Sequence, residues 1–351
     1  MTTWAEAVDA AGHEVHLVGR VVPTWPPADP LYAESVHTLT ADGLPLLRSF
    51  EMSATLGKAT RDLAPDIVHA HWLPEFGWMA AREGLRPLVC SAWGSDVLRP
   101  GLVGRRRSVK ALRAAEMVMA DSVHLAQAAA ALAGRDVRVE VVRPGLNLDH
   151  FSPGDSSKAR RAVGLPEDRP LVVGIRPLSA LYNPGLVLEA FAQIHARRPN
   201  ALLLLKHPQA GIPEVVRTTI ERLGLTDAVI TLGNVTADKL PDVYRAADVI
   251  VSIASSDSSP RSVWEALACA RPVVVSDLPW ARDELSPGEN ALVAPLDAES
   301  VSVAISRVLD DEELAARLGQ AGRALAVAEL DPQVCSSRVD VLYRSLVESG
   351  R

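Results

Sequence analysis

The chain has 351 residues, 48% of them hydrophobic and 23% charged, which excludes a disordered or collagen-like polymer. At roughly 150 residues per domain, it has the length of two globular domains. Its 36 basic residues against 43 acidic ones leave a net charge of −7, and no basic segment offers the cationic face that a nucleic-acid partner requires. Three scattered cysteines (Cys90, Cys269 and Cys335) form no paired framework and read as reduced thiols in a cytoplasmic protein. No apolar run approaches the roughly 20 residues of a membrane span. The opening Met1-Thr-Thr-Trp-Ala-Glu-Ala lacks the basic and apolar regions of a signal peptide.

In chain order, short runs rich in Val, Ile and Leu alternate with amphipathic stretches. Strands are expected at Val15–Val18, Asp66–Ala70, Pro87–Ser91, Met117–Ala120 and Arg138–Val142. A second series follows at Leu171–Ile175, Ala201–Leu205, Ala228–Thr231, Val249–Ile253, Pro272–Ser276 and Ala291–Val293. Runs apolar on both faces belong to strands covered on both sides, and their alternation with helical stretches such as Leu186–His195, Pro213–Leu223, Trp264–Cys269 and Ala298–Leu309 predicts two doubly wound, mostly parallel sheets. Arg143-Pro-Gly-Leu-Asn-Leu-Asp-His-Phe-Ser-Pro-Gly154 interrupts the rhythm and reads as the linker, giving domains over 1–145 and 146–330. From Asp310 onward three helical stretches are expected, with Pro332 at a first helical position. A Rossmann-like half opens with a strand before its first helix. Here Thr3–Ala11 already reads as that helix, so the first strand is missing, and a late start is the favoured account.

Chemistry concentrates at the ends of these strands. After the run ending at Ile253, a polar turn leads into a helix beginning near Pro260. The amides of Arg261, Ser262 and Val263, with the helix dipole behind them, form an anion site suited to a diphosphate. Asp257 and Glu265 flank that helix start; read alone, they serve equally as a helix cap and a solvated helix residue. In Asp66-Ile-Val-His-Ala-His-Trp72, His69 and His71 share one face of a strand, and no third ligand nearby completes a metal site. In Ala92-Trp-Gly-Ser-Asp96, Gly94 permits a tight turn, while Ser95 and Asp96 either contact hydroxyls or cap the next helix. The basic run Arg105–Arg113 reads as a solvated helix face, with peripheral contact to an anionic membrane as the alternative.

The segment Asp257-x7-Glu265-Ala-Leu-Ala-Cys-Ala-Arg-Pro-Val-Val resembles the signature of family-4 retaining glycosyltransferases, with Asp257, Leu267 and Ala270 in place of the commoner Glu, Met and Gly. Asp66-Ile-Val-His-Ala-His, Trp93-Gly-Ser-Asp96, the linker and Gly233-Asn234-Val235 are similar to further family segments, and together the matches run from residue 4 to about 345. The resemblance implies the GT-B architecture, two Rossmann-like domains facing a cleft. The domain over 1–145 would take the acceptor, with a carboxyl-terminal helix over about 331–351 packing back on it, and 146–330 would hold a nucleoside-diphosphate sugar. It implies that Asp257 contacts donor-sugar hydroxyls, Glu265 the ribose, and the helix-start amides the diphosphate, with Ser258 among the donor-binding residues. His71 lies near the transferred sugar, Val235 near the base, and Ser95 and Asp96 on the acceptor side. Where the family has an Arg and a Lys clamping the diphosphate, this chain has Arg176 displaced by one position and Tyr182; Lys206 or His207 would supply the missing charge.

The implied reaction is glycosyl transfer with retention to an acceptor hydroxyl (small-molecule, lipid-linked or glycan), with neither cofactor nor metal, by a monomer or homodimer. No Asp-x-Asp pair is present to hold a divalent ion. Two other readings stay open: a nucleotide-sugar-binding protein without transfer, and a nucleotide-sugar 2-epimerase, which needs an acid/base set that is not found. The 31 Arg against 5 Lys point to a GC-rich bacterial genome.

Overall fold

A computed structural model describes residues 2–19, 35–39, 48–206 and 211–349. The chain divides into two compact units, residues 1–145 with 332–351, and residues 146–331.

Unit 2 carries β7 (Leu171–Gly174), β8 (Leu202–Lys206), β9 (Val229–Leu232), β10 (Val249–Ser252), β11 (Val273–Ser276) and β12 (Leu292–Ala294), numbered after the six strands found among the described residues of unit 1. They form one all-parallel sheet in the order β12-β11-β10-β7-β8-β9. Successive strand residues point to opposite faces. Leu171, Val173, Leu202, Leu204, Ile250 and Val273 accordingly enter one core, and Val172, Leu203, Leu205, Val249, Val251 and Val274 the other. Both faces are apolar, so both are covered by helices. The order reverses between β7 and β10, and ligands of open α/β sheets bind outside the carboxyl ends of strands at such a switch point.

Unit 1 carries β1 (His16–Gly19), β2 (Ser35–Thr38), β3 (Val68–His71), β4 (Leu88–Ser91), β5 (Met117–Ala120) and β6 (Val139–Val141). All pairings are parallel, but the strands fall into two groups, β1-β2 and β3-β4-β5-β6. One face of the larger group packs on helices drawn from residues 48–133. The other face packs through Val89, Met117 and Met119 on Trp4 and on Val339, Leu342, Tyr343 and Leu346 of the helix Pro332–Ser349.

The strand at Ser35–Thr38 was not expected, because Ser-Val-His-Thr is no apolar run. The tail from Asp310 contains two helices beyond the one ending there, Glu312–Leu330 and Pro332–Ser349, rather than three stretches. Gly319 and Gly322, lacking side chains, let the first of these lie close against Ala270 and Leu267. No described helix is long and apolar enough to cross a membrane.

Candidate functional site

The carboxyl ends of β7 and β10 bring Arg176, Asp257 and Ser262 together, three of the expected residues. Arg176, two residues beyond β7, donates from Nη2 to Asp257 Oδ2 (2.8 Å) and from Nη1 to Ser262 Oγ (2.9 Å). The two loops are laced by Ser255 N–H donating to Leu181 O (2.9 Å) and by the Asn183 amide against Ser255 Oγ (2.9 Å). Arg176 and Asp257 are 14% and 16% exposed, so water screens the pair weakly and the geometry is held firmly. Burial raises the Asp257 carboxyl above its usual range against the opposing pull of Arg176.

The helix Arg261–Ala268 begins one residue later than expected, with Pro260 as its cap. This decides which amides are available. Val263 N–H donates to Pro260 O (2.9 Å) and Val263 is fully buried, so the expectation that its amide holds a diphosphate is corrected. The tight first turn consumes that donor. Arg261 and Ser262 keep outward amides without a main-chain partner among the described residues.

Glu265, on the first turns of the same helix, is 7% exposed. It accepts from Arg261 Nε at Oε1 (3.0 Å) and from Tyr244 Oη at Oε2 (2.6 Å). Burial raises its carboxyl, opposed chiefly by Arg261 and the Tyr244 hydrogen bond, and burial raises the Tyr244 phenol well above its ordinary value. The Tyr244 phenol therefore keeps its proton and donates it to the carboxyl. Sequence reasoning missed Tyr244, because a tyrosine on the buried side of Leu240–Ala246 reads as core.

Tyr182 does not take the role expected from its place in the motif. Its ring lies under the Arg176 guanidinium, 4.3 Å from the centroid, so it supports that arginine through its face. Ser258 is buried beside Asp257, with its N–H donating to Asp257 Oδ1 (3.1 Å). Lys206 ends β8, half-buried, and its charge acts on Glu265. Val235, beyond β9, packs its side chain on the core. His207 lies outside the described residues.

In unit 1, His69 and His71 stack at 4.3 Å between ring centroids. His69 is held internally by the Tyr343 hydroxyl and by Ser91 Oγ (2.8 Å), and burial lowers its pKa to about 3. His71 closes β3 with its ring 5.7 Å from that of Trp93, and burial keeps it neutral as well. The acceptor-side role expected of Asp96 is corrected: it is 1% exposed, and its two oxygens accept from Leu73 N–H (3.2 Å) and Trp93 N–H (2.9 Å). It staples the turns after β3 and β4, where Gly94 takes φ +92°. Ser95 remains exposed at the start of its short helix. Among the described residues, no three His, Cys, Asp or Glu side chains cluster as metal ligands.

Residues 1–150 match glycosyltransferase family 4, and residues 155–325 match the glycosyl transferases group 1. D-inositol 3-phosphate glycosyltransferase 2 of Catenulispora acidiphila is 30% identical over 317 residues, 80% of this chain and 74% of that one. D-inositol 3-phosphate glycosyltransferase of Mycolicibacterium vanbaalenii is 34% identical over 250 residues, 63% of this chain and 55% of that one. The structure of Anabaena HepE in complex with UDP and glucose superposes with a TM-score of 0.85 at 19% identity, covering 98% of this chain and 96% of that one. That likeness gives the fold, two parallel-sheet α/β domains of the GT-B kind, and with the two sequence matches it makes the chain a member of the family-4 (group 1) glycosyltransferases.

Proposed function

We propose that the chain moves a sugar from a nucleoside-diphosphate sugar to an acceptor hydroxyl, with retention of configuration and without a metal ion. The observation that carries this reading is the constellation at the β7/β10 switch point, where one guanidinium, two free helix-start amides and two buried carboxylates converge. Glycosyl transfer separates an anionic diphosphate from an oxocarbenium-like sugar. Preorganised donors aimed at the leaving group stabilise the charge as it grows. Arg176, held against Asp257 and Ser262 and supported by Tyr182, is read as that donor together with the amides of Arg261 and Ser262. Lys206 adds positive charge in place of the family lysine.

Asp257 is assigned to donor-sugar hydroxyls and Glu265 to the ribose; Glu265 would exchange Arg261, whose side chain is 45% exposed, for the ligand. Ser258 and Val235 are read as donor-side lining. Unit 2 is thus the donor side and unit 1 the acceptor side, with His71 near the transferred sugar and Ser95 among acceptor contacts. The departing phosphate takes the acceptor proton, so a neutral His71 suffices.

The test is a thermal-shift screen against UDP, GDP, ADP and dTDP and their sugars, since a ligand of the native state alone raises its stability by mass action. One nucleotide should stabilise selectively, and Glu265→Ala should abolish the response. Transfer is then assayed with the matching donor, taking D-inositol 3-phosphate, the acceptor named for the relatives, as the first acceptor. Loss of the response to every nucleotide would overturn the donor assignment. The Arg176–Asp257 pair favours a second reading, a donor-binding protein that holds its arginine away from the phosphate; selective binding with neither transfer nor donor hydrolysis would establish it.

A further inference from the structure

A diphosphate brings several negative charges, and the cations around the β7/β10 switch point are mostly committed before it arrives. Arg176 shares its charge with Asp257 through Nη2, donates to Ser262 through Nη1 and carries the Tyr182 ring against its face. The position at which a second cation was expected is held by Tyr182, which has none to offer. Lys206 ends β8, with β7 between that strand and β10.

Arg261 opens the helix that follows β10, and a cation there is out of place. The amino end of a helix is the positive end of its dipole, so the first turn favours anions over cations. In its i,i+4 pair with Glu265 the cation lies on the amino side, the weaker of the two orientations. Helical side chains lean toward the amino end. Arg261 reaches the other way, one turn forward, where Nε donates to Glu265 Oε1 (3.0 Å). The guanidinium is exposed, which makes the pair a weak one, and its Nη groups have no partner among the described residues. Glu265 Oε2 is fixed by the Tyr244 hydroxyl, so Oε1 is the oxygen left for a ligand, and Arg261 covers it.

We infer that the Arg261 side chain is a second diphosphate-binding cation, stored on Glu265 and released by the ribose of the donor. It rests on the donor-side reading of unit 2. A ribose hydroxyl takes Glu265 Oε1, and the freed guanidinium turns back toward the amino end of its own helix. The amides of Arg261 and Ser262 have no main-chain partner there, and a phosphate held by them comes within its reach. A guanidinium grips a phosphate with two parallel N–H donors. The nucleoside part of the donor thus frees the cation that the phosphate part uses. In transfer, the bond between the anomeric carbon and the diphosphate oxygen breaks and its electron pair stays on that oxygen. The acceptor oxygen bonds to the carbon in its place, and its proton passes to the phosphate. Arg261 meets the negative charge as it grows on the leaving group.

The test measures nucleosides apart from their diphosphates: uridine with UDP, guanosine with GDP, adenosine with ADP and thymidine with dTDP. Thermal-shift titration gives the diphosphate affinities of wild type, Arg261→Met and Arg261→Lys, and each nucleoside is read as a competitor up to millimolar concentration. Arg261→Met should weaken the bound diphosphate about ten- to a hundredfold. Affinity for its nucleoside should not fall, because the ribose no longer displaces a guanidinium. Arg261→Lys should recover part of the loss, as a point charge in place of a fork. Equal diphosphate affinity in wild type and Arg261→Met overturns the inference, and the donor assignment still stands if Glu265→Ala abolishes the response. A parallel loss of nucleoside and diphosphate also overturns it, since Arg261 would then act only by positioning Glu265. A nucleoside that fails to compete with its bound diphosphate overturns release by the ribose. A wild type that binds none of the four diphosphates overturns the donor assignment itself, and this inference with it.

Discussion

Replacing Tyr244 with Phe tests the Glu265 arrangement with a single oxygen atom. The phenol donates to Glu265 Oε2 at 2.6 Å, with Tyr244 1% and Glu265 7% exposed, so no water can substitute. The ring and its edge contact with Phe151 survive, so the change opens almost no cavity. What is lost is a hydrogen bond to a charged acceptor, about 1.5–3 kcal/mol. For a unit of this size that lowers Tm by a few to about ten degrees. The loss has a pH signature. Burial raises Glu265 above its ordinary 4.5, and Tyr244 opposes that shift. A raised acid contributes most to stability below its unfolded pKa, and the contribution is lost as pH rises through the folded value. Tyr244→Phe raises the folded value further, so its deficit is largest at neutral and higher pH and shrinks as the pH falls through that value toward 4.5. Denaturant unfolding of wild type, Tyr244→Phe, Glu265→Gln and the double variant from pH 8 to pH 4.5 measures this. The tyrosine should cost less in the Gln background, and the nucleotide-induced Tm shift should fall in Tyr244→Phe. A deficit that is constant over that pH range and additive with Glu265→Gln would refute the reasoning.

Other outcomes follow from the same structure. Asp96→Asn should destabilise unit 1 by about 1.5–3 kcal/mol, because an amide nitrogen cannot accept from both Leu73 and Trp93; chemical denaturation reads it, and unchanged stability would return Asp96 to the acceptor side. Ala270 holds φ +54° in a helix ending where Arg271 N–H donates to Ala266 O and Ala270 N–H to Leu267 O. Ala270→Gly should therefore stabilise by about 0.5–1 kcal/mol, the left-handed strain relieved less the extra flexibility of the unfolded glycine; a lower Tm would contradict it. His69 and His71 are buried neutral, His69 with its pKa lowered to about 3, so the stability they contribute is present above pH 6.5 and is lost as the pH falls toward the folded values. The slope approaches about 1.4 kcal/mol per pH unit for each histidine. A His69→Gln variant whose acid unfolding midpoint matches wild type would count against this.

Much was legible in the sequence because it is local. Val-, Ile- and Leu-rich runs bounded by turn residues gave eleven strands to within about two residues, Met117–Ala120 to the residue, since a strand covered on both faces must be apolar throughout. The signature Asp257-x7-Glu265 survived because a strand end, a turn and a helix start are consecutive in the chain. Pairings across the chain were not legible. Whether the Val263 amide is free depends on how tightly Pro260 starts the helix; whether Asp96 meets an acceptor depends on Leu73, 23 residues away. Tyr182 lost its expected polar role because its ring face, rather than its hydroxyl, meets Arg176. Tyr244 gained one because the neighbouring helix brings its hydroxyl to Glu265. The sequence by itself determined the elements, the family and the kinds of side chain at the strand ends, all set by local patterning. Only the tertiary structure decided which donors and acceptors remain free, because a polar group left by one neighbour is claimed by whichever other the packing brings within about 3 Å.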